Sequence, residues 1–89
     1  MQRARGRMNQ ERMLLHGQLA EAERAMKTLE READGQVLLL RMRSLPTLAL
    51  GDLRTAEILA AAESLHRIAQ EAAAQREIIA HCREALGLA

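Results

Sequence analysis

Apolar residues recur along this chain at alternating steps of three and four. From Met8 the row runs through Leu15, Leu19, Ala22, Met26, Leu29 and Ala33, with Arg12 as the polar exception. Such spacing draws one stripe along a helix. After Ala33 the pattern reads as slipping by one, to Val37 and Leu40, at Asp34-Gly35. A glycine suits a helix end, but Gln36 to Arg43 is still rich in Leu and Met, so the helix is expected to continue to about Ser44. Pro46 ends it, because the residue before a proline avoids the α region.

The second half carries a cleaner repeat. Ile58, Leu65, Ala72, Ile79 and Leu86 take one heptad position, and Ala61, Ile68, Gln75 and Cys82 take the other. Gln75 is the single polar slip, of the kind that can fix register and oligomeric state. Gly87 provides a stop. A second stripe, Leu59, Ala62, Ala69, Ala73 and Ala80, lies beside the first, so this helix can touch two neighbours.

The predicted order is an arm over 1–8, a helix over 9–44, a connection over 45–51 and a helix over 52–86. Asn9 and Asp52 are the expected N-caps. Two helices of about 35 residues, some 50 Å each, with a short connection give an all-α antiparallel hairpin. Folding about position 48 brings together residues whose numbers add to about 97. Leu15 then meets Cys82, Leu19 meets Ile79, Met26 meets Ala72 and Leu29 meets Ile68. Arg12 falls near Glu84, and Glu21 near Arg76. The expected seam comprises Leu15, Leu19, Met26 and Leu29 against Ile58, Leu65, Ile68, Gln75, Ile79, Cys82 and Leu86.

Composition agrees with helices and removes other classes. The apolar residues are 17 Ala, 15 Leu, 5 Met, 4 Ile, 1 Val and 1 Cys, with no aromatic residue. β-Sandwiches and barrels need β-branched and aromatic residues. RNA-recognition modules and oligonucleotide-binding barrels need aromatic stacking platforms. An 89-residue chain is one domain at most, and an Ala-rich seam buries little area. The expectation is therefore a homodimer, two hairpins packed as a four-helix bundle.

Charge adds detail rather than a class. The net charge is +1, but residues 1–12 carry Arg3, Arg5, Arg7 and Arg12 against Glu11. Arg3, Arg5 and Arg7 are candidate phosphate contacts, the basis of an alternative reading as a nucleic-acid-associated regulator. The rest of the chain is near neutral and lacks a helix-turn-helix signature. Twelve of the thirteen basic residues are Arg, which together with the Ala content suggests a GC-rich bacterial or phage coding genome.

One cysteine allows no internal disulfide. The greasiest window, Val37 to Leu50, contains Arg41, Arg43 and Pro46 and is too short to span a bilayer. A cytoplasmic location without membrane contact is the expectation.

Chemistry-bearing motifs are sparse. Glu63 and His66 have the Glu-x-x-His spacing of di-iron bundles, and His16 is expected near His81 and Cys82, which makes a metal-binding bundle the third reading. A di-iron site needs two such motifs, and the first helix has none, so no metal ligand and no cofactor is assigned. Nothing resembles a nucleophile elbow or a phosphate-binding glycine loop, and no catalytic residue or enzymatic activity is expected.

The connection is unusually apolar. Leu45, Leu48 and Leu50, flanked by Arg41, Arg43 and Arg54, either plug the end of the bundle or form a partner-binding tip. In architecture alone the expected hairpin is similar to small bacterial helical accessory proteins. These include co-chaperones of secretion-needle subunits and small phage proteins that block a host protein. The leading expectation is a non-enzymatic interaction module, acting as an adaptor, chaperone-like protein or inhibitor of a larger protein.

Overall fold

A computed structural model describes residues 2–45 and 48–88, with side chains from Gly6 onward. Two α-helices, α1 (Gln2–Arg43) and α2 (Thr55–Ala85), pack against each other. A short 3₁₀ turn, Leu50–Asp52, lies in the connection. Among the described residues there is no strand.

Both helices start elsewhere than expected. Helix α1 begins at Gln2, so residues 2–8, expected as an arm, are its first two turns and Asn9 is internal. Gln, Arg, Ala and Met are strong helix formers. Their summed propensity outweighs the cost of arginines near the positive end of the helix dipole. Asp52 does not cap α2: it closes the 3₁₀ turn, its N–H donating to the Ala49 carbonyl at 2.9 Å. The first α2 hydrogen bond runs from Ile58 N–H to the Arg54 carbonyl at 3.0 Å. With 42 and 31 residues, the helices are about 63 and 46 Å long rather than equal.

The helix ends are chemically consistent. Arg41 and Arg43 lie in the last turn of α1, and Glu57 in the first turn of α2, each the sign its helix dipole favours. Helix α2 stops in a Schellman motif. Gly87 takes φ 73°, Leu88 N–H donates to the Arg83 carbonyl at 2.8 Å, and Gly87 N–H donates to the Glu84 carbonyl at 3.1 Å. Glycine enters that left-handed region without a Cβ clash.

Burial along α1 overturns the expected slip at Asp34-Gly35. The less exposed positions are Leu15, Leu19, Ala22, Met26, Leu29, Ala33, Gln36, Leu40 and Arg43, apart from Ala25 beside them. The repeat is unbroken: Gln36, not Val37, takes the seam position, and Val37 is exposed. A polar residue on the seam looked like a change of phase. Met8, assigned to the same row, is exposed. Along α2, and at Leu86 in the turn that follows it, the less exposed positions include every expected seam residue from Ile58 onward.

Contacts divide the chain into two compact units, Met1–Lys27 with Ala73–Ala89, and Thr28–Ala72. In the first unit Leu19, Cys82 and Leu86 form a buried cluster against which Leu15 and Ile79 pack. Cys82 is fully buried, and its thiol reaches Gln18 Oε1 at 3.8 Å, a weak hydrogen bond. In the second unit Leu29, Ala61, Ile68 and Ala72 are buried.

The polar contacts lie two or three residues beyond the expected register, while Leu15 and Ile79 pack against the cluster of Leu19, Cys82 and Leu86, compatible with the expected Leu15–Cys82 and Leu19–Ile79 pairs. Gln18 and Cys82 in the first unit, and Glu32 with Arg67 and Arg43 with Glu57 in the second, have numbers that add to 99 or 100 rather than 97. The 3₁₀ turn lengthens the connection and moves its centre toward Leu50. Arg12–Glu84 and Glu21–Arg76, the expected ion pairs, are not among those formed by the described residues.

Truncation of Leu19 to Ala should cost about 2–4 kcal/mol, since it opens a void in the cluster of the first unit. Gln36→Leu should stabilise the chain by roughly 1 kcal/mol, because a half-buried amide gives way to an apolar side chain on the seam. Val37→Ala should move stability by less than about 0.5 kcal/mol. Urea unfolding followed by circular dichroism measures all three, and a larger effect at Val37 than at Gln36 would restore the slipped repeat.

Candidate functional site

Exposed apolar side chains gather in the unit that contains the connection. Leu38, Leu39, Met42 and Leu45 project from the end of α1 and its continuation, Leu59 from α2. Leu50 is 84% exposed, while Leu48 and Leu53 are half-buried. The 3₁₀ turn explains the split. Ala49 and Leu50 carbonyls accept the N–H groups of Asp52 and Leu53, which closes one tight turn. Three residues per turn cannot direct every leucine of the connection inward. Pro46 and Thr47 lie outside the described residues.

The arginines expected around this tip have different surroundings. Arg41 is exposed. Arg43 stands at the last seam position, where its Nε lies 2.8 Å from Glu57 Oε2. That nitrogen is shielded from solvent, and its N–H is not aligned on the carboxylate. The contact is therefore a close charge pair rather than a directed hydrogen bond. Arg54 reaches the other oxygen of Glu57 at 3.4 Å. Glu57 thus joins the end of α1 to the start of α2. Sequence reasoning missed this residue; its place in the first turn of α2, three positions after Arg54, was the available signal.

A second charged cluster lies farther along the same unit. Arg67 Nη1 donates to Glu71 Oε1 at 3.0 Å, and Nη2 lies 3.6 Å from Glu32 Oε2 across the seam. The hydrogen bond to Glu71 chiefly, then that carboxylate's charge, holds the Arg67 guanidinium above its ordinary range, with Glu32 adding to the effect. The spacing of Arg67 and Glu71 is visible in the sequence, whereas the Glu32 contact depends on the register.

The first unit carries an open groove between its two helix segments. Ala22, Ala25, Ala74 and Ile78 form its apolar surface, and Glu21 and Glu77 stand among its polar residues with His81 and Gln75. Met13 and Leu14 are exposed on α1 beside Gly17, where an added Cβ would meet nothing within 4 Å. On α2 the stripe of Leu59, Ala62, Ala69, Ala73 and Ala80 is exposed along its length.

The other candidate chemistry is dispersed. Among the described residues no three His, Cys, Asp or Glu side chains stand close enough to hold a metal ion. His66 approaches the Gln70 amide nitrogen at 3.3 Å rather than joining Glu63 in a cluster. His16 is exposed on α1. Arg7 is exposed on the first turns of α1; the side chains of Arg3 and Arg5 lie outside the described residues. No helix among the described residues is long and apolar enough to cross a membrane.

Glu57→Ala should remove both contacts to Arg43 and Arg54. Because these groups are substantially exposed, the loss should not exceed about 1 kcal/mol and should shrink in high salt. Amide exchange at the end of α1 and the start of α2 should rise, and unchanged exchange there would show that Glu57 does not join them. No family model, curated protein or solved structure matches the chain.

Proposed function

We propose that this chain is a non-enzymatic interaction module that binds a larger protein through its apolar connection, as an adaptor, chaperone-like protein or inhibitor. The observation that carries the reading is the exposure of Leu45 and Leu50 at the connection, with Leu59 in the same unit. Large apolar side chains left exposed near one another on a small protein mark a contact that is made elsewhere. The rim supports a protein partner, since Arg54 is exposed and Arg is favoured at interfaces. In the absence of Phe, Tyr and Trp, Leu, Met and Arg must supply the anchors.

Self-association belongs to the same reading. The seam is rich in alanine, and the exposed stripe on α2 leaves apolar surface uncovered. Two copies packed as a four-helix bundle would cover more of it.

The test is the double substitution Leu48→Asp and Leu50→Asp. Circular dichroism should show the helices retained, and crosslinking in the source cell should lose the partner captured by the wild-type chain. Loss of the fold would instead assign these leucines to a structural plug. Retained capture by a folded variant would remove the tip as the binding surface.

A further inference from the structure

The groove of the first unit and the outer ridge of α1 in the second unit have opposite shape and opposite charge. The groove has small side chains, Ala22, Ala25 and Ala74, beside Ile78, with the carboxylates Glu21 and Glu77 on opposite helices. The ridge has large ones. Leu38 and Met42, four residues apart and so on one face of α1, are both exposed. Arg31, seven residues before Leu38, continues that face, and Arg41 borders it.

The charge pattern separates these groups from three arginines of the connection unit, although other exposed charges among the described residues also form no ion pair. Arg43, Arg54 and Arg67 are engaged by Glu57, Glu32 and Glu71. Glu21, Glu77, Arg31 and Arg41 form no ion pair within 4 Å among the described residues. Asp34 lies on the ridge side and lowers its positive charge without cancelling it. By contrast, the alanine stripe on α2 selects no partner by charge.

Resting on the reading that the chain self-associates, we infer that the occupant of the groove is a second copy of this chain, which seats Leu38 and Met42 on the alanines and sets Arg31 and Arg41 against Glu21 and Glu77. Small residues on one side let a helix approach closely, and leucine and methionine on the other fill the space. Complementary charges at the edge fix which face docks and speed association, and they are screened by salt.

Charge reversal on each side tests the assignment. Sedimentation equilibrium should show the wild-type chain associating at micromolar concentration. Glu21→Lys with Glu77→Lys, and separately Arg31→Glu with Arg41→Glu, should each weaken self-association at least about tenfold. An equimolar mixture of the two variants should restore it, since each then offers the face the other lacks. Helicity is measured for each variant, and Leu38→Ser with Met42→Ser tests the ridge if a reversed chain fails to fold. A monomeric wild-type chain would overturn both this docking and the self-association reading. A wild-type dimer that both reversals leave intact, or reversed variants whose mixture stays monomeric, would overturn the docking alone.

Discussion

Two helices share one row of side chains, and that row limits how much apolar surface the pair can remove from water. Leucine and isoleucine occupy part of it, but Ala22, Ala61 and Ala72 are also buried there. Each alanine contributes little area at roughly 25 cal/mol per Å². The remaining features supplement this small gain. Glu57 holds the helix ends at the connection, the glycine stop closes α2, and the dipole ends at the connection meet charges of favourable sign. Surfaces left uncovered follow from the same limit, because a single seam cannot enclose all of Leu38, Met42, Leu50 and Leu59.

The helical pair and the seam of α2 were legible in the spacing of residues, because periodicity depends only on local geometry. The start of α1 was not, because propensity and dipole pulled residues 2–8 in opposite directions. Gln36 was missed for a different reason: a polar residue on a seam cannot be told from a change of phase until burial is known. The polar contacts lie two or three residues beyond the expected register because the 3₁₀ turn consumes chain length that a tighter connection would have released. Among the candidate site residues, the exposure of Leu50 and the capture of Arg43 by Glu57 are tertiary outcomes. Neither leaves a periodic trace.

Ion pairing among the described residues is concentrated in the connection unit. In the connection unit, most arginines near the seam meet a carboxylate from the same chain. Exposed pairs of this kind add little to stability. In the docking proposed above, they would neutralise one flank and leave the remaining charges to select what lies against the others.

Cys82 gives the buried cluster of the first unit a chemical property as well as a packing one. Its thiol is fully enclosed among Leu19 and Leu86. A thiol reacts as the thiolate, which needs water and room for the attacking reagent. Modification of Cys82 therefore has to wait for the helix segments around it to part. The rate at which the single thiol is alkylated reports how readily the unit that hides it opens.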